Sequence, residues 1–519
     1  MNYLPIILFL TFIFSLLLNY MEFNSKMNSL QIVNDMGIGY NLGNLFDCNN
    51  RSSEEIKNPD DQITSCGNEV ITKDVINNIK KYGFKTIRFP VTWMNFINDS
   101  GKININWMSR VREVVNWIIK SNLYCILNIY HDGSSGNWLS KGKKSFNKYI
   151  NLWAQISDEF KSYDDFLIFE SMNKVDFRLD NDNDKYDYST LFEFSQGFVN
   201  IIRNSGGYNK NRLLIISGPN SDKDLTCSEE FKIPNDPSNK LAISIHYYKP
   251  TQFTVESDDK PSPMINENHD FIFTSTKTWG IEIEYKNLFN DFELIKGFYI
   301  NKGIPVIFSE VGVLTEQKKE IESIREYLYA VFSFSSAYNG IMSCLWDTSN
   351  KTFGDMNYYD RKNNIWYDEK IKNNFKIISR GKCINPFDFY IYNNVENISD
   401  TDPDGNLNIN IGKKKITKVI FNAKITTNSF SEIGIGISSV DINGIKFEEQ
   451  IDAKVGKKLY DGSYIFIIDV KGKDYNEYIQ LQRWYGLDYI KLNYFALEFE
   501  ENFISFDYYA YKLVFNNID

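Results

Sequence analysis

Short apolar runs alternate with longer segments of helical periodicity from about residue 36 to residue 380. The apolar runs are MGIGYNL, TIRFP, YCILNI, FLIFESM, LLIIS, LAISIHY, PVIF and IMSCLW. Between them lie amphipathic stretches, such as the one in which Trp107, Val111 and Val114 recur at helical spacing. Eight alternating strand and helix units predict an α/β fold, a (β/α)8 or TIM barrel, with a doubly wound sheet as the alternative.

Polar side chains fall repeatedly at the ends of these predicted strands. They are Arg88, Asn173, Lys174, His246, Tyr248, Glu310 and Trp346. In a barrel the carboxyl ends of all strands meet at one mouth, where the loops that follow the strands build the active site. The pattern therefore favours the barrel over the doubly wound sheet, and it predicts a polar site at that mouth.

The hydrophobic pattern changes after Asn385 and Pro386 to short alternating runs separated by turn residues. Such alternation predicts an all-β sandwich of the jelly-roll type. We therefore expect a barrel domain over residues 30–384 and a β-sandwich over residues 388–519.

One strand of the expected sandwich, YIQLQRWY, has a candidate sugar-binding face. A period of two places Gln480, Gln482 and Trp484 on the same side of this strand. Amides beside an aromatic ring suit the hydroxyls and the C–H faces of a sugar. An ordinary solvated face that carries one aromatic residue explains the pattern equally well.

The chain begins with an apolar run, LPIILFLTFIFSLLL, from Leu4 to Leu18. It is shorter than the roughly 18 to 20 residues that a bilayer span needs. We expect residues 1–25 to be a signal peptide of a secreted protein. An uncleaved membrane anchor is the alternative, because no basic residue precedes the run and no A-x-A-like cleavage site follows it.

Charge and motif content exclude several functions. A net charge of -10 argues against nucleic acid as a partner, since such binding needs a dense basic face. The acidic run from Asp180 lacks the Gly and Glu of a calcium loop, and the chain has no CxxC spacing. We expect a monomer with no metal and no cofactor. Cys48 and Cys66 lie in one loop and could form a disulfide, whereas Cys125 and Cys344 lie in strand-like runs and are expected to be buried.

These segments resemble, in order, the motifs of glycoside hydrolase family five, the cellulase-type retaining β-glycanases. GIGYNLGNLFD is similar to the family's opening strand, RFPVTW to its R-x-P-V-T-W motif, SIHYYKP to its H-x-Y strand, IPVIFSEVG to its nucleophile strand and LWDTSN to its W-W-D-N platform. LIFESMNKV looks like the acid/base strand, L-I-F-E-x-M-N-E-P. The resemblance covers nearly all of residues 36–370, whereas the C-terminal region resembles carbohydrate-binding modules only loosely.

The resemblance implies roles for individual residues. Retaining enzymes of this kind use one carboxyl group as nucleophile and a second as acid/base. Glu310 matches the nucleophile, and Lys174 stands at the position of the acid/base Glu. Tyr130 stands where the family has a His. The implied substrate-binding residues are Asn41, Arg88, Tyr130, His131, Asn173, His246, Tyr248 and Trp346.

A lysine is a poor substitute for the acid/base carboxyl group. Its ordinary pKa is about 10.4, so at neutral pH it donates a proton reluctantly and does not readily take one back. Positioned acid–base catalysis contributes about 10² to 10⁴ in rate. Two other carboxyl groups could replace the missing acid/base. Glu170 is expected about 13 Å deeper in the barrel than Lys174, which is too far. Asp176 lies beyond Lys174 on a loop and is a conceivable replacement, but no feature of the sequence directs it at the scissile bond.

From these arguments we expect a secreted, cellulase-like pseudoenzyme that binds β-glucan and has impaired hydrolysis. The first alternative is an active retaining endo-β-1,4-glucanase that takes part in polysaccharide catabolism. The second is a non-catalytic scaffold or adaptor protein whose C-terminal domain binds a protein partner.

Overall fold

The structure, a computed structural model, describes the chain in segments. They are residues 27–49, 56–133, 138–179, 182–256, 262–265, 271–274, 277–280, 282–315, 319–349 and 356–381, and from residue 407 onward the β-strands. The chain divides into two compact units, Met1–Trp279 with Asn290–Gly381, and Gly280–Phe289 with Lys382–Asp519. The leader expected over residues 1–25 lies outside the described residues.

Eight parallel strands close into a barrel in the first unit. They are β1 (Gly39–Asn41), β2 (Thr86–Phe89), β3 (Tyr124–Asn128), β4 (Leu167–Glu170), β5 (Leu214–Ser217), β6 (Leu241–Tyr247), β7 (Val306–Val311) and β8 (Ile341–Leu345). The order around the barrel is β1-β8-β7-β6-β5-β4-β3-β2. Each strand coincides with one of the apolar runs of the sequence, and the predicted (β/α)8 barrel is confirmed.

A helix follows each barrel strand. These helices are α1 (Lys73–Lys81), α2 (Ile105–Lys120), α3 (Lys143–Phe160), α4 (Tyr188–Asn204), α5 (Lys223–Thr226), α6 (Glu282–Phe298), α7 (Ile321–Ala337) and α8 (Glu369–Ile378). Further helices are Ser29–Met36, Pro59–Ile63 and Thr251–Thr254. In α2 the periodic residues Trp107, Val111 and Val114 are all buried, as their spacing predicted. Within the described segments no helix has the length and apolarity to cross a membrane.

The amino end of the barrel is closed by the helix Ser29–Met36. Its Val33 and Met36 belong to one buried cluster with Ile126 of β3 and Ile307 of β7. Burial of apolar side chains at this end stabilises the barrel and fills it. The opposite, carboxyl end is therefore where polar groups can be held for chemistry.

The cysteines behave as the sequence suggested. Cys48 and Cys66 form a disulfide in the loop region after β1. Cys125 and Cys344 are free and buried within β3 and β8.

The second unit contains two antiparallel sheets. Their strands are β9 (Leu407–Asn410), β10 (Ile416–Thr426), β11 (Gly434–Val440), β12 (Ile451–Asp452), β13 (Lys454–Lys458), β14 (Tyr464–Asp469), β15 (Tyr478–Tyr485) and β16 (Tyr489–Phe499). One sheet has the order β9-β15-β11-β12 and the other β13-β14-β10-β16. On β14, Phe466 and Ile468 are buried. Gln480, Gln482 and Trp484 lie on β15, and their sugar contact stays a prediction, as does the sandwich itself.

Candidate active site

Arg88, at the carboxyl end of β2, is fully buried and uses every N–H group it has. Its Nε and Nη2 donate to the two oxygens of Glu170 on β4, at 2.7 and 3.2 Å. Its Nη1 donates to Asn41 Oδ1 at 3.1 Å and to Glu310 Oε1 at 3.0 Å. Nη2 also donates to Asn173 Oδ1 at 2.9 Å. Since a guanidinium has five N–H donors, Arg88 is saturated, and it joins the ends of β1, β4 and β7.

Glu170 is the buried counter-ion of Arg88. Its oxygens accept from Asn128 Nδ2 at 2.9 Å and from Ser244 Oγ at 2.7 Å, besides the two bonds from Arg88. Burial alone would lower the pKa of Arg88, but the facing carboxylates, Glu170 and then Glu310, raise it above its ordinary value. Glu170 therefore holds the guanidinium charge in place, and its own oxygens are occupied.

Strand β7 is irregular at the point where it presents Glu310. Phe308 and Glu310 pair with consecutive residues of β6, so Ser309 is an extra residue, and the pairing with β8 shifts at the same place. Asn41 Nδ2 donates to the Ser309 carbonyl at 2.8 Å. Bulges next to active sites re-aim side chains. Here the bulge lies where the Glu310 carboxylate turns toward the guanidinium of Arg88 on β2.

The Glu310 carboxylate is surrounded by donors and is only 3% exposed. Its Oε1 accepts from Arg88 and from the Tyr130 hydroxyl, the latter at 2.7 Å. Its Oε2 accepts from the Tyr248 hydroxyl at 3.0 Å. His246 Nδ1 lies 2.9 Å from the same Oε2, although it is not aligned for a hydrogen bond.

These neighbours keep Glu310 ionised. Burial alone would raise its pKa, but the imidazole of His246 and the cations Lys174 and Arg88 together lower that pKa well below its ordinary value. Burial lowers the pKa of His246, and Glu310 only partly opposes this effect. At neutral pH Glu310 is therefore a carboxylate, which is the protonation state that a carboxylate nucleophile requires.

Aromatic rings line the open side of Glu310. The rings of Tyr130 and Trp346 are parallel, with an interplanar angle of 5° and centroids 5.7 Å apart. The edge of His131 meets the Tyr130 ring at 4.6 Å. Trp346, Tyr248 and His131 are each partly exposed. Flat apolar faces beside a carboxylate are suited to stacking on a pyranose ring.

Lys174 follows β4 and is exposed at this mouth. Its Nζ lies 5.6 Å from the centroid of the Tyr248 ring. Its charge contributes to the low pKa of Glu310, although within the described chain the two residues form no salt bridge. Asp176, an acidic residue of the same loop, pairs with Arg178 at 2.5 Å.

The structure brings together at one mouth the barrel residues to which the resemblance assigns roles: Asn41, Arg88, Tyr130, His131, Asn173, Lys174, His246, Tyr248, Glu310 and Trp346. Sequence reasoning missed the buried layer that supports them, including Asn128 and Ser244, and it missed Asp47. Asp47 is buried and interacts electrostatically with His131: burial raises the pKa of Asp47 and lowers that of His131, and each group partly offsets the effect on the other. The signal was available, because a polar residue inside an apolar run must find a partner.

Among the described residues no group of His, Cys, Asp or Glu side chains is arranged to hold a metal ion.

The low pKa of Glu310 predicts a pH-dependent contribution to stability. Because the folded pKa lies below the unfolded value of about 4.3, the stabilisation is present above that pH and is lost as the pH falls toward the folded pKa. The thermal midpoint of the parent should therefore exceed that of Glu310→Gln at pH 6, and the difference should shrink toward pH 3. Asp158→Asn, at a carboxylate whose side chain is 73% exposed, is the control. A difference that grows on acidification would contradict the prediction.

Comparisons with known proteins agree with this geometry. A solved structure, a GH5-4 broad specificity endoglucanase from an uncultured bovine rumen ciliate, is 54% identical, covers 69% of this chain and 99% of its own, and superposes with a TM-score of 0.64. A family 5 xyloglucanase from Paenibacillus pabuli is 29% identical, covers 67% of this chain and 100% of its own, and has a TM-score of 0.58.

Curated sequences and a family model give the same result. Endoglucanase A of Clostridium longisporum is 31% identical over 364 residues, which are 67% of this chain and 65% of that protein, so the chain spans just under two thirds of its length. The family model described as Cellulase (glycosyl hydrolase family 5) matches residues 49–352. The chain therefore belongs to glycosyl hydrolase family 5.

Proposed function

We propose that this chain is an endo-β-1,4-glucanase-type glucan hydrolase whose turnover is slow at the proton-transfer steps. The observation that carries the proposal is the Glu310 carboxylate, which is held ionised by Arg88 and its neighbours and opens onto an aromatic cleft. A retaining glycosidase needs such a nucleophile below the anomeric carbon. No cofactor takes part in this chemistry.

The nucleophilic half of the reaction is supported by named contacts. Glu310 attacks the anomeric carbon while the glycosidic oxygen leaves, and a glycosyl ester forms on the carboxylate. Trp346 and Tyr248 are the proposed stacking and hydrogen-bonding partners of the sugar. We assign further substrate contacts to His131 and Asn173. The inner groups Asn41, Arg88 and His246 are also assigned to the substrate-binding site, where they act mainly by holding Glu310.

The proton-transfer half of the reaction is where we place the defect. We propose that Lys174 occupies the acid/base position, by its order in the motif and by its location at the mouth. An ammonium group gives up its proton poorly to a leaving oxygen, and it cannot deprotonate the water that releases the sugar. Asp176 is engaged with Arg178 and is no substitute.

The named relatives support hydrolysis over the purely binding role that the sequence suggested. Both the ciliate structure, at 54% identity, and the Clostridium longisporum protein are called endoglucanases. A glucan-binding protein without catalysis is the second candidate, and the exposed cation at position 174 favours it. No contact among the described residues favours the third candidate, an adaptor that uses the barrel only as a scaffold.

We extend the proposal to the regions outside the cleft. Residues 1–25 are proposed to direct secretion. Residues 388–519 are proposed to form a β-sandwich that adds a second, weak glucan contact through Gln480, Gln482 and Trp484. Two weak sites on one polymer gain avidity through effective concentration, without either being strong alone.

Restoring the carboxyl group should restore turnover. Lys174→Glu is expected to raise kcat/KM on soluble β-glucan by about 10²-fold or more, because positioned acid–base catalysis contributes factors of this size. Reducing-sugar release measures the effect. Lys185→Glu makes the same charge change on the loop beyond β4, at a side chain that is 72% exposed, and should leave the rate unchanged. A parent that already matches Lys174→Glu would refute a defect at this position.

Glucan binding should depend on the aromatic platform. Trp346→Ala removes the ring that faces Tyr130 and is expected to weaken binding to β-glucan about tenfold, since stacking on one aromatic face contributes roughly 1 kcal/mol or more. Affinity electrophoresis in glucan-containing gels measures binding without requiring turnover. Tyr208→Ala, at an exposed tyrosine outside the cleft, is the control. Equal retardation of both variants would contradict the role of Trp346, and a parent that glucan does not retard would argue for an adaptor.

A further inference from the structure

Hydrogen-bond donors occupy three acceptor positions of Glu310 in the resting site, including both positions of Oε1. A carboxylate has about four lone-pair positions, two on each oxygen. Arg88 and Tyr130 occupy both positions of Oε1. Tyr248 occupies one position of Oε2, and His246 Nδ1 lies 2.9 Å from that atom. An oxygen that attacks the anomeric carbon must direct a lone pair at it, so Oε1 can attack only after Arg88 or Tyr130 has released it.

Three of the four groups are poorly suited to leave. Arg88 is buried and holds Glu170, Asn41 and Asn173 with its remaining N–H groups. His246 is buried on β6, where it is the strand partner of Glu310. Tyr248 donates to the other oxygen, Oε2, so its departure does not free Oε1.

Tyr130 is buried as well, but it differs from Arg88 in its attachments, because its single O–H group donates to Glu310. Its ring stands at the mouth, parallel to Trp346, and its hydroxyl has one proton to donate, which goes to Glu310 Oε1. Ring centroids 5.7 Å apart leave no room for a pyranose between the two planes, since each face needs about 3.5 to 4 Å. A sugar that enters between these rings must therefore displace Tyr130 or Trp346.

We propose that Tyr130 is a positioning residue that restrains the nucleophile: its phenol holds Glu310 Oε1 in the resting site and must swing away before that oxygen can attack. The role rests on the proposed function of Glu310 as nucleophile. Loss of a substrate-binding residue would slow attack by Glu310, whereas in this role removal of the Tyr130 hydroxyl accelerates it.

The direction of the effect follows from the charge on the carboxylate. A hydrogen bond to an ionised group is strong, and it weakens as the negative charge passes into the new carbon–oxygen bond. The contact from Tyr130 therefore stabilises the resting state more than the transition state, which slows the reaction. Burial and the adjacent Glu310 raise the pKa of Tyr130 well above its ordinary value, so its hydroxyl remains a donor at neutral pH.

The test measures attack by Glu310 without any need for a proton donor. In 2,4-dinitrophenyl 2-deoxy-2-fluoro-β-cellobioside, the Glu310 oxygen forms a bond to the anomeric carbon while the bond to dinitrophenolate breaks. The dinitrophenolate leaves as a stable anion, and the fluorine slows hydrolysis of the ester. Intact-protein mass spectrometry follows the labelled fraction with time, and peptide mapping locates the label.

Tyr130→Phe, which deletes the hydroxyl and keeps the ring, is expected to raise the labelling rate about tenfold, the scale of one charge-assisted hydrogen bond. The acid limb of the labelling profile should also move to higher pH, because the carboxylate loses a donor that lowers its pKa. The titratable or charged groups that face this carboxylate are Arg88, Tyr130, His131, Lys174, His246 and Tyr248. Tyr130→His, with a smaller ring, is the second variant and should also label faster.

Tyr247→Phe is the matched control. Tyr247 is likewise a buried phenol that donates to a carboxylate, Asp291 Oδ2 at 2.9 Å, but it does not contact Glu310. Its labelling rate should equal that of the parent. Labelling that is unchanged or slower in both Tyr130 variants, with the parent labelled at Glu310, would overturn this inference and leave the proposed function standing. Absence of label in the parent and in every variant would overturn both.

Discussion

The saturated guanidinium of Arg88 is the interaction on which the rest of the site depends. It is buried, its five donors are all used, and its bonds join residues of β1, β4 and β7 at the mouth of the barrel. Removing one partner of such a buried ionic network costs about 3 to 5 kcal/mol, because the remaining charge is left without compensation. Glu170 supplies the second carboxylate that the charge needs, so Glu310 can share Arg88 and still present its own oxygens toward the cleft.

This arrangement divides the surroundings of Glu310 into a fixed side and an open side. The fixed side consists of Arg88 and His246, which belong to barrel strands and keep the carboxylate ionised. The open side carries the partly exposed ring of Trp346 and the exposed Lys174, and the buried Tyr130 ring lies parallel to Trp346. In the proposed function, nucleophilic attack depends on the fixed side and proton transfer depends on the open side. The proposal follows from that separation, since Glu310 is held ionised and Lys174 is a cation at the position proposed for the second carboxyl group.

The barrel could be predicted from the sequence because buried parallel strands leave short apolar runs between amphipathic helices. The convergence of Arg88, Glu310 and Trp346 followed from the geometry of strand ends. The bulge at Ser309 could not be predicted, because the register of β7 is set by pairing with β6 and β8, which are distant in sequence. For the same reason, a motif position identified Tyr130 but gave no indication that its hydroxyl bonds to the nucleophile. In the second unit, alternation predicted strands, whereas the order of strands in each sheet required the structure.

The most direct test of the central claim, a working nucleophile without a working acid/base, is hydrolysis of 2,4-dinitrophenyl β-cellobioside by the parent protein with and without sodium azide. Dinitrophenolate leaves without a proton, but release of the sugar from Glu310 needs a base that activates water, and azide attacks without that base. The account predicts a burst of dinitrophenolate, then a slow phase that azide accelerates, with β-cellobiosyl azide of retained configuration as product. Rapid steady release with no burst and no response to azide would contradict it.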